Sequence, residues 1–135
     1  MRQGAPSLAY PDAEQAAAFH AELGLRLGAE EWGPINENKL KASLERAKDT
    51  LQRGGQGDIV TIAAFMLFGL IRDEPFGKGS TEAGLCLTLA FLLRHGVAIE
   101  VEPEELAGIS LAIQDGQVFA AMIEQWMRAY AAPAG

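Results

Sequence analysis

Apolar positions Leu40, Leu44, Ala47 and Leu51 step along the chain by 4, 3 and 4 residues, with Lys, Arg, Glu and Asp around them. That spacing places them on one stripe of an α-helix and predicts a surface helix with a single buried face. Asn36 can cap its start, and Gly54-Gly55 end it. From Asp58 to Arg72 the pattern changes. Ile59, Val60, Ile62, Phe65, Met66, Leu67, Phe68, Leu70 and Ile71 occupy every face, which predicts a central helix buried nearly all round. Ser80 to His95 has the same character through Leu85, Leu87, Leu89, Phe91, Leu92 and Leu93. Two such helices in one small chain are expected to pack on each other, with the remainder wrapped around them.

Gly and Pro divide the rest. Pro11-Asp12 opens an Ala-rich helix that runs to about Leu27, with Asp12 at its N-cap. A polar, irregular stretch from Ala29 to Ile35 is broken at Gly33-Pro34. Val97 to Val101 alternates apolar and polar and predicts a lone edge strand. Pro103-Glu104-Glu105 suits the first turn of a further helix, where a missing N–H and negative charge are both favourable. Asp115-Gly116 interrupts it. Gln117 to Tyr130 follows as an amphipathic helix with Trp126, Met127 and Tyr130 on its packed face, before a frayed tail. The pattern predicts an all-α, irregular bundle of about six helices around two buried central ones, forming one domain over residues 1–135 with no internal repeat.

Composition narrows the function classes. With 49% hydrophobic and 21% charged residues in 135, the chain has the makings of a real core and does not read as disordered. One cysteine excludes a disulfide framework and a cysteine-based zinc site. A net charge of −7 repels phosphate at long range, so neither nucleic acid nor an anionic membrane is an expected partner. The longest apolar run, Ile59 to Ile71, is shorter than a membrane span requires. The first residues, Met-Arg-Gln-Gly-Ala-Pro, lead into no hydrophobic stretch of the secretory kind, and the expected location is the cytoplasm.

Few stock motifs of catalysis are present. Gly77-Lys78-Gly79-Ser80 has the composition of a phosphate loop, but Gly79 stands where Ser or Thr should follow the lysine, and a helix precedes it instead of a strand. His20 and His95 have no partners at metal-ligand spacing, and no metal site is expected. His20 is expected on a helix surface, and His95 at a helix C-terminus, where it favours the dipole. Cys86, inside an apolar helix, is expected to be a buried and inert small side chain.

The segment between the two apolar helices is more specific. It reads Glu74-Pro75-Phe76-Gly77-Lys78-Gly79-Ser80-Thr81-Glu82-Ala83-Gly84 and continues into the second helix as far as Gly96. The whole resembles the Fic/Doc family, specifically its death-on-curing (Doc) toxin branch. That family's signature is His-Pro-Phe-x-Asp-Gly-Asn-Lys-Arg-Thr-Ala followed by an apolar helix. The two align without a gap through Gly96. Tyr10-Pro11, the helix bearing His20, the Leu40 to Leu51 helix and the closing pair from Pro103 to Trp126 extend the likeness over most of the chain, implying a Fic-type fold with its motif loop at 73–84.

The resemblance also implies what has been lost. In the family the histidine is a base, the aspartate holds Mg²⁺, and the asparagine, lysine and arginine cradle the phosphates of ATP. Here Glu74 stands for the histidine, Lys78 for the aspartate, Ser80 for the asparagine, Thr81 for the lysine and Glu82 for the arginine. Only Pro75, Phe76 and Gly79 match, and they inherit roles in shaping the loop. A carboxylate at Glu82 stabilises a helix N-terminus but competes with a phosphate for the same positive potential. Lys78 repels Mg²⁺. No cofactor is therefore expected.

The resemblance implies a catalytically degenerate relative of the toxin component of a toxin–antitoxin module, acting through protein binding. Partners in the family are a small Phd-like antitoxin, which lays a helix into a groove, and elongation factor Tu, modified at a threonine with ATP. An exposed apolar strip near the N-terminal segment or on Val118 to Tyr130 would suit such binding. Two other readings stay open. One is an active ATP- and Mg²⁺-dependent phosphotransferase or adenylyltransferase with a rearranged site built on Glu74. The other is a helical oligomerisation module.

Overall fold

The computed structural model describes residues 10–26, 35–54, 58–76 and 79–134. Among them are six α-helices and a two-stranded sheet: α1 (Ala13–Arg26), α2 (Glu37–Gly54), α3 (Ile59–Arg72), α4 (Ser80–Arg94), β1 (Val97–Ile99), α5 (Pro103–Gln114), α6 (Ala120–Tyr130) and β2 (Ala131–Pro133). The architecture is the all-α bundle that the periodicity predicts. Gly28, the Gly33-Pro34 break and Gly55 lie outside the described residues, as does the side chain of Leu51.

The polar residues at helix starts act as caps. Asp12 Oδ1 accepts from the Gln15 N–H at 2.8 Å, and Gln15 Oε1 accepts in return from the Asp12 N–H at 3.1 Å. This reciprocal pair satisfies donors that a helix start leaves orphaned. Asn36 Oδ1 accepts from the Lys39 N–H at the start of α2. At α3, Asp58 Oδ1 accepts from the Val60 and Thr61 N–H groups, while Thr61 Oγ1 accepts from the Asp58 N–H.

Helix α3 is the axis of the fold. Helices α2, α4, α5 and α6 pack against it from different sides, which is why it is apolar on every face and buried over most of its length. Helix α4 differs from the expectation. Its buried residues, among them Ala83, Gly84, Leu87, Phe91 and Leu92, form one stripe, while Leu93 is 55% exposed and Cys86 faces outward. No described helix covers the outer side of α4, so apolar composition there does not mean burial. The α3–α4 contact is close at Gly84, where an added Cβ would lie 3.0 Å from the Leu70 Cβ.

The end of the chain also departs from the expectation of a lone strand and a frayed tail. Ala131–Pro133 pairs antiparallel with Val97–Ile99, Ala98 opposite Ala132. The Glu100 N–H donates to the Tyr130 carbonyl at 2.9 Å and the Ala134 N–H to the Gly96 carbonyl at 3.0 Å. Helix α6 begins at Ala120, later than Gln117, because the Gln117 N–H turns back to the Ala112 carbonyl. On α6, Met127 is buried and Trp126 and Tyr130 are half-buried. No helix among the described residues is long and apolar enough to cross a membrane.

Candidate functional site

The α3–α4 connection is held from three directions. Asp73, the C-cap of α3, accepts through Oδ2 from Ser43 Oγ at 2.6 Å and Arg46 Nη1 at 3.1 Å, and its carbonyl accepts from Lys39 Nζ. The Pro75 carbonyl accepts from the Asn36 N–H at 2.8 Å. Phe76 is fully buried, with its ring stacked on His20 at 4.6 Å between centroids. His20 is therefore an interior residue of α1, contrary to the surface position expected from sequence. It lies on the same stripe as Ala16 and Gly24, which are also buried.

Glu74, Gly79, Ser80, Thr81 and Glu82 come together around a cavity of about 290 Å³, with Ile71, Arg72 and Gln114 completing its wall. Gly77 and Lys78 lie outside the described residues. Gly79 has φ 83°, in the left-handed region that glycine adopts without strain, and leads into α4. Glu74 has φ 49° and is the only non-glycine with positive φ among the described residues.

The hydroxyls around the cavity are bonded within the fold, and its two carboxylates, Glu74 and Glu82, have the wrong sign for a phosphate. Ser80 is buried and its Oγ accepts from the Phe76 N–H at 3.1 Å, closing the loop on itself. Thr81 Oγ1 accepts from Gln114 Nε2, which ties α4 to the end of α5. Glu82 is exposed in the first turn of α4. Arg72, a cation the motif did not point to, donates from Nη1 to the Gln114 carbonyl at 2.9 Å and packs over Gly116. It thereby caps the negative end of α5. Neither Arg72 nor Gln114 belongs to the motif; both reach the cavity from elements that only the tertiary fold brings near.

Among the described residues, no three His, Cys, Asp or Glu side chains gather where they could hold a metal. Cys86 is exposed one turn after Glu82, contrary to the buried position expected. Its thiol is pushed up by partial burial and by the Glu82 carboxylate, the opposite of an activated nucleophile. His95 is the C-cap of α4, its ring 4.9 Å from that of Phe91.

Two apolar grooves lie elsewhere. One, of about 340 Å³, runs between α1 and α4 and is lined by Tyr10, Phe19, Leu87, Phe91 and Arg94 among others. Tyr10 spans this region: its hydroxyl donates to the Leu44 carbonyl and its ring meets Phe91 edge-on at 5.5 Å. Burial, and to a smaller extent Asp49, push its phenol above its usual range. The other groove, of about 330 Å³, lies over α3 between α2 and the start of α6, with Arg46, Phe65, Phe68 and Phe119 on its walls. Phe119 is 62% exposed and nearby Met122 is 50% exposed. No protein-family model and no curated protein matches the chain in sequence.

Proposed function

We propose that this chain is a catalytically degenerate Doc-like protein of the cytoplasm, related to the toxin component of a toxin–antitoxin module, that acts by binding a protein. The carrying observation is the state of the α4 N-terminus. A helix N-terminus attracts phosphate through its free N–H groups and positive dipole end. Here Glu82 places a carboxylate in the first turn, where it competes with a phosphate for the same positive end, and the Ser80 and Thr81 hydroxyls are already bonded within the fold. Among the described residues no three His, Cys, Asp or Glu side chains gather to hold a metal, and Arg72, the cation on the cavity wall, is bonded to the Gln114 carbonyl, which leaves phosphoryl transfer short of electrostatic support.

Binding has better support. Phe119 lines the α2–α6 groove and is exposed, Met122 in the first turn of α6 is exposed too, and a Phd-like antitoxin or another helix donor would bind such apolar surface. The test is co-purification with the product of the adjacent gene. The complex is expected with the native chain and is expected to be lost in a Phe119→Asp, Met122→Asp variant that keeps its helical content. Failure of the native chain to retain that product would overturn the reading.

One observation favours the transferase reading. Glu74 combines backbone strain with a place on the cavity wall, and strained residues cluster at functional sites. Incubation with labelled ATP, Mg²⁺ and a cell extract separates the two. Label transfer abolished by Glu74→Ala would favour the enzyme; the binding reading expects none.

A further inference from the structure

The bond pattern of the small sheet fixes which backbone groups face outward. Hydrogen-bonded and non-hydrogen-bonded pairs alternate along an antiparallel ladder. Since Gly96 and Glu100 bond across to Ala134 and Tyr130, Ala98 bonds to Ala132, and Val97 and Ile99 turn their N–H and C=O groups away from β2. No described backbone group meets Val97 or Ile99 on that outer side.

The sheet's two edges are unequal. On the outer edge of β2, Pro133 has no N–H to offer. The outer edge of β1 is Val-Ala-Ile, without the proline, charge or bulge by which edge strands are usually protected from pairing. Its flanks are charged in opposite senses. Exposed Arg94 precedes the strand, and exposed Glu100 and Glu102 follow it.

We propose that β1 pairs antiparallel with β1 of a second copy of this chain, about a two-fold axis passing through Ala98. In that register Val97 faces Ile99 of the second copy, and the outward N–H and C=O groups of both become bonded. The arrangement is closed and self-complementary, as a two-fold interface requires. Charge selects the direction: antiparallel pairing brings Arg94 of each chain towards the carboxylates of the other, whereas parallel pairing would set like charges side by side. The two small sheets become one sheet of order β2-β1-β1-β2, and both unpaired Val-Ala-Ile edges disappear. The inference is independent of the binding reading above, because neither the motif loop nor the α2–α6 groove with Phe119 takes part.

Sedimentation of the intact chain over a concentration series tests it. A monomer–dimer equilibrium is expected. Ile99→Pro removes an outward N–H while leaving the Ala98–Ala132 bonds in place, and is expected to sediment as monomer throughout. Arg94→Glu should weaken the dimer about tenfold, the scale of the two symmetry-related exposed charge pairs it removes, and adding Glu102→Arg should restore it. Should Ile99→Pro lose its helical signal, the charge swap decides. A native chain that is monomeric throughout, a folded Ile99→Pro dimer, or a charge swap without effect would each overturn the proposal.

Discussion

On the core side of the segment joining α3 to α4, Pro75 and Phe76 are fully buried and Ser80 nearly so, whereas on its solvent side Glu74 and Glu82 are exposed and Thr81 is half-buried. The three core-side groups hold the segment's shape: the Pro75 carbonyl is bonded to α2, Phe76 is stacked on α1, and Ser80 closes the turn. The solvent side carries two carboxylates and a hydroxyl bonded to the end of α5. A loop can thus keep its geometry through its inward residues while its outward ones are free to change.

The sharpest way to break this contrast is Phe76→Ala. Removing a fully buried ring that packs on His20 should cost about 3–5 kcal/mol, read as a fall in the denaturant midpoint at unchanged slope. A loss below about 1 kcal/mol would mean that the core side does not hold the loop. Gly84→Ala, one turn into α4, tests the helix contact beneath it. Its Cβ would meet the Leu70 Cβ at 3.0 Å, so a loss of about 1–3 kcal/mol is expected where helix propensity alone would give a gain. Ser80→Ala leaves the buried Phe76 N–H without its acceptor and should cost about 1–2 kcal/mol; a neutral result would release Ser80 from the structural role.

The opposite end of α3 gives a control with no loop chemistry and the smallest effect. The Arg128 guanidinium, bonded to both Asp58 oxygens, holds that carboxyl below its ordinary value of 3.8. A depressed folded value means stability that is fully present above the unfolded value and is lost as pH falls through the folded one. Melting temperature followed from about pH 6 down to about pH 2 should fall less steeply in Arg128→Ala than in the native chain. Equal slopes would show that the pair contributes nothing.

Much of the fold is legible in the sequence because its strongest signals are local. The capping residues Asp12 and Asn36, the one-stripe pattern of α2 and the all-round pattern of α3 each depend on a few neighbouring positions. What depended on distant partners was not legible. The pairing of Ala131–Pro133 with β1 joins two short segments without strand composition of their own. Arg72 and Gln114 reach the candidate site only through the packing of α5 near α4. Two errors had a signal that could have corrected them. His20 follows Ala16 and precedes Gly24 at steps of four, which marks the buried stripe of α1. Cys86 follows the exposed Glu82 at the same step, which marks the solvent face of α4.

Titration of the intact chain with ATP and Mg²⁺, followed by calorimetry, tests the central claim most directly. The account predicts no saturable binding, because the Glu82 carboxylate in the first turn of α4 competes with a phosphate for the positive end of the helix. Saturable, Mg²⁺-dependent binding that is lost when Gly79 is replaced by a bulky residue would contradict it.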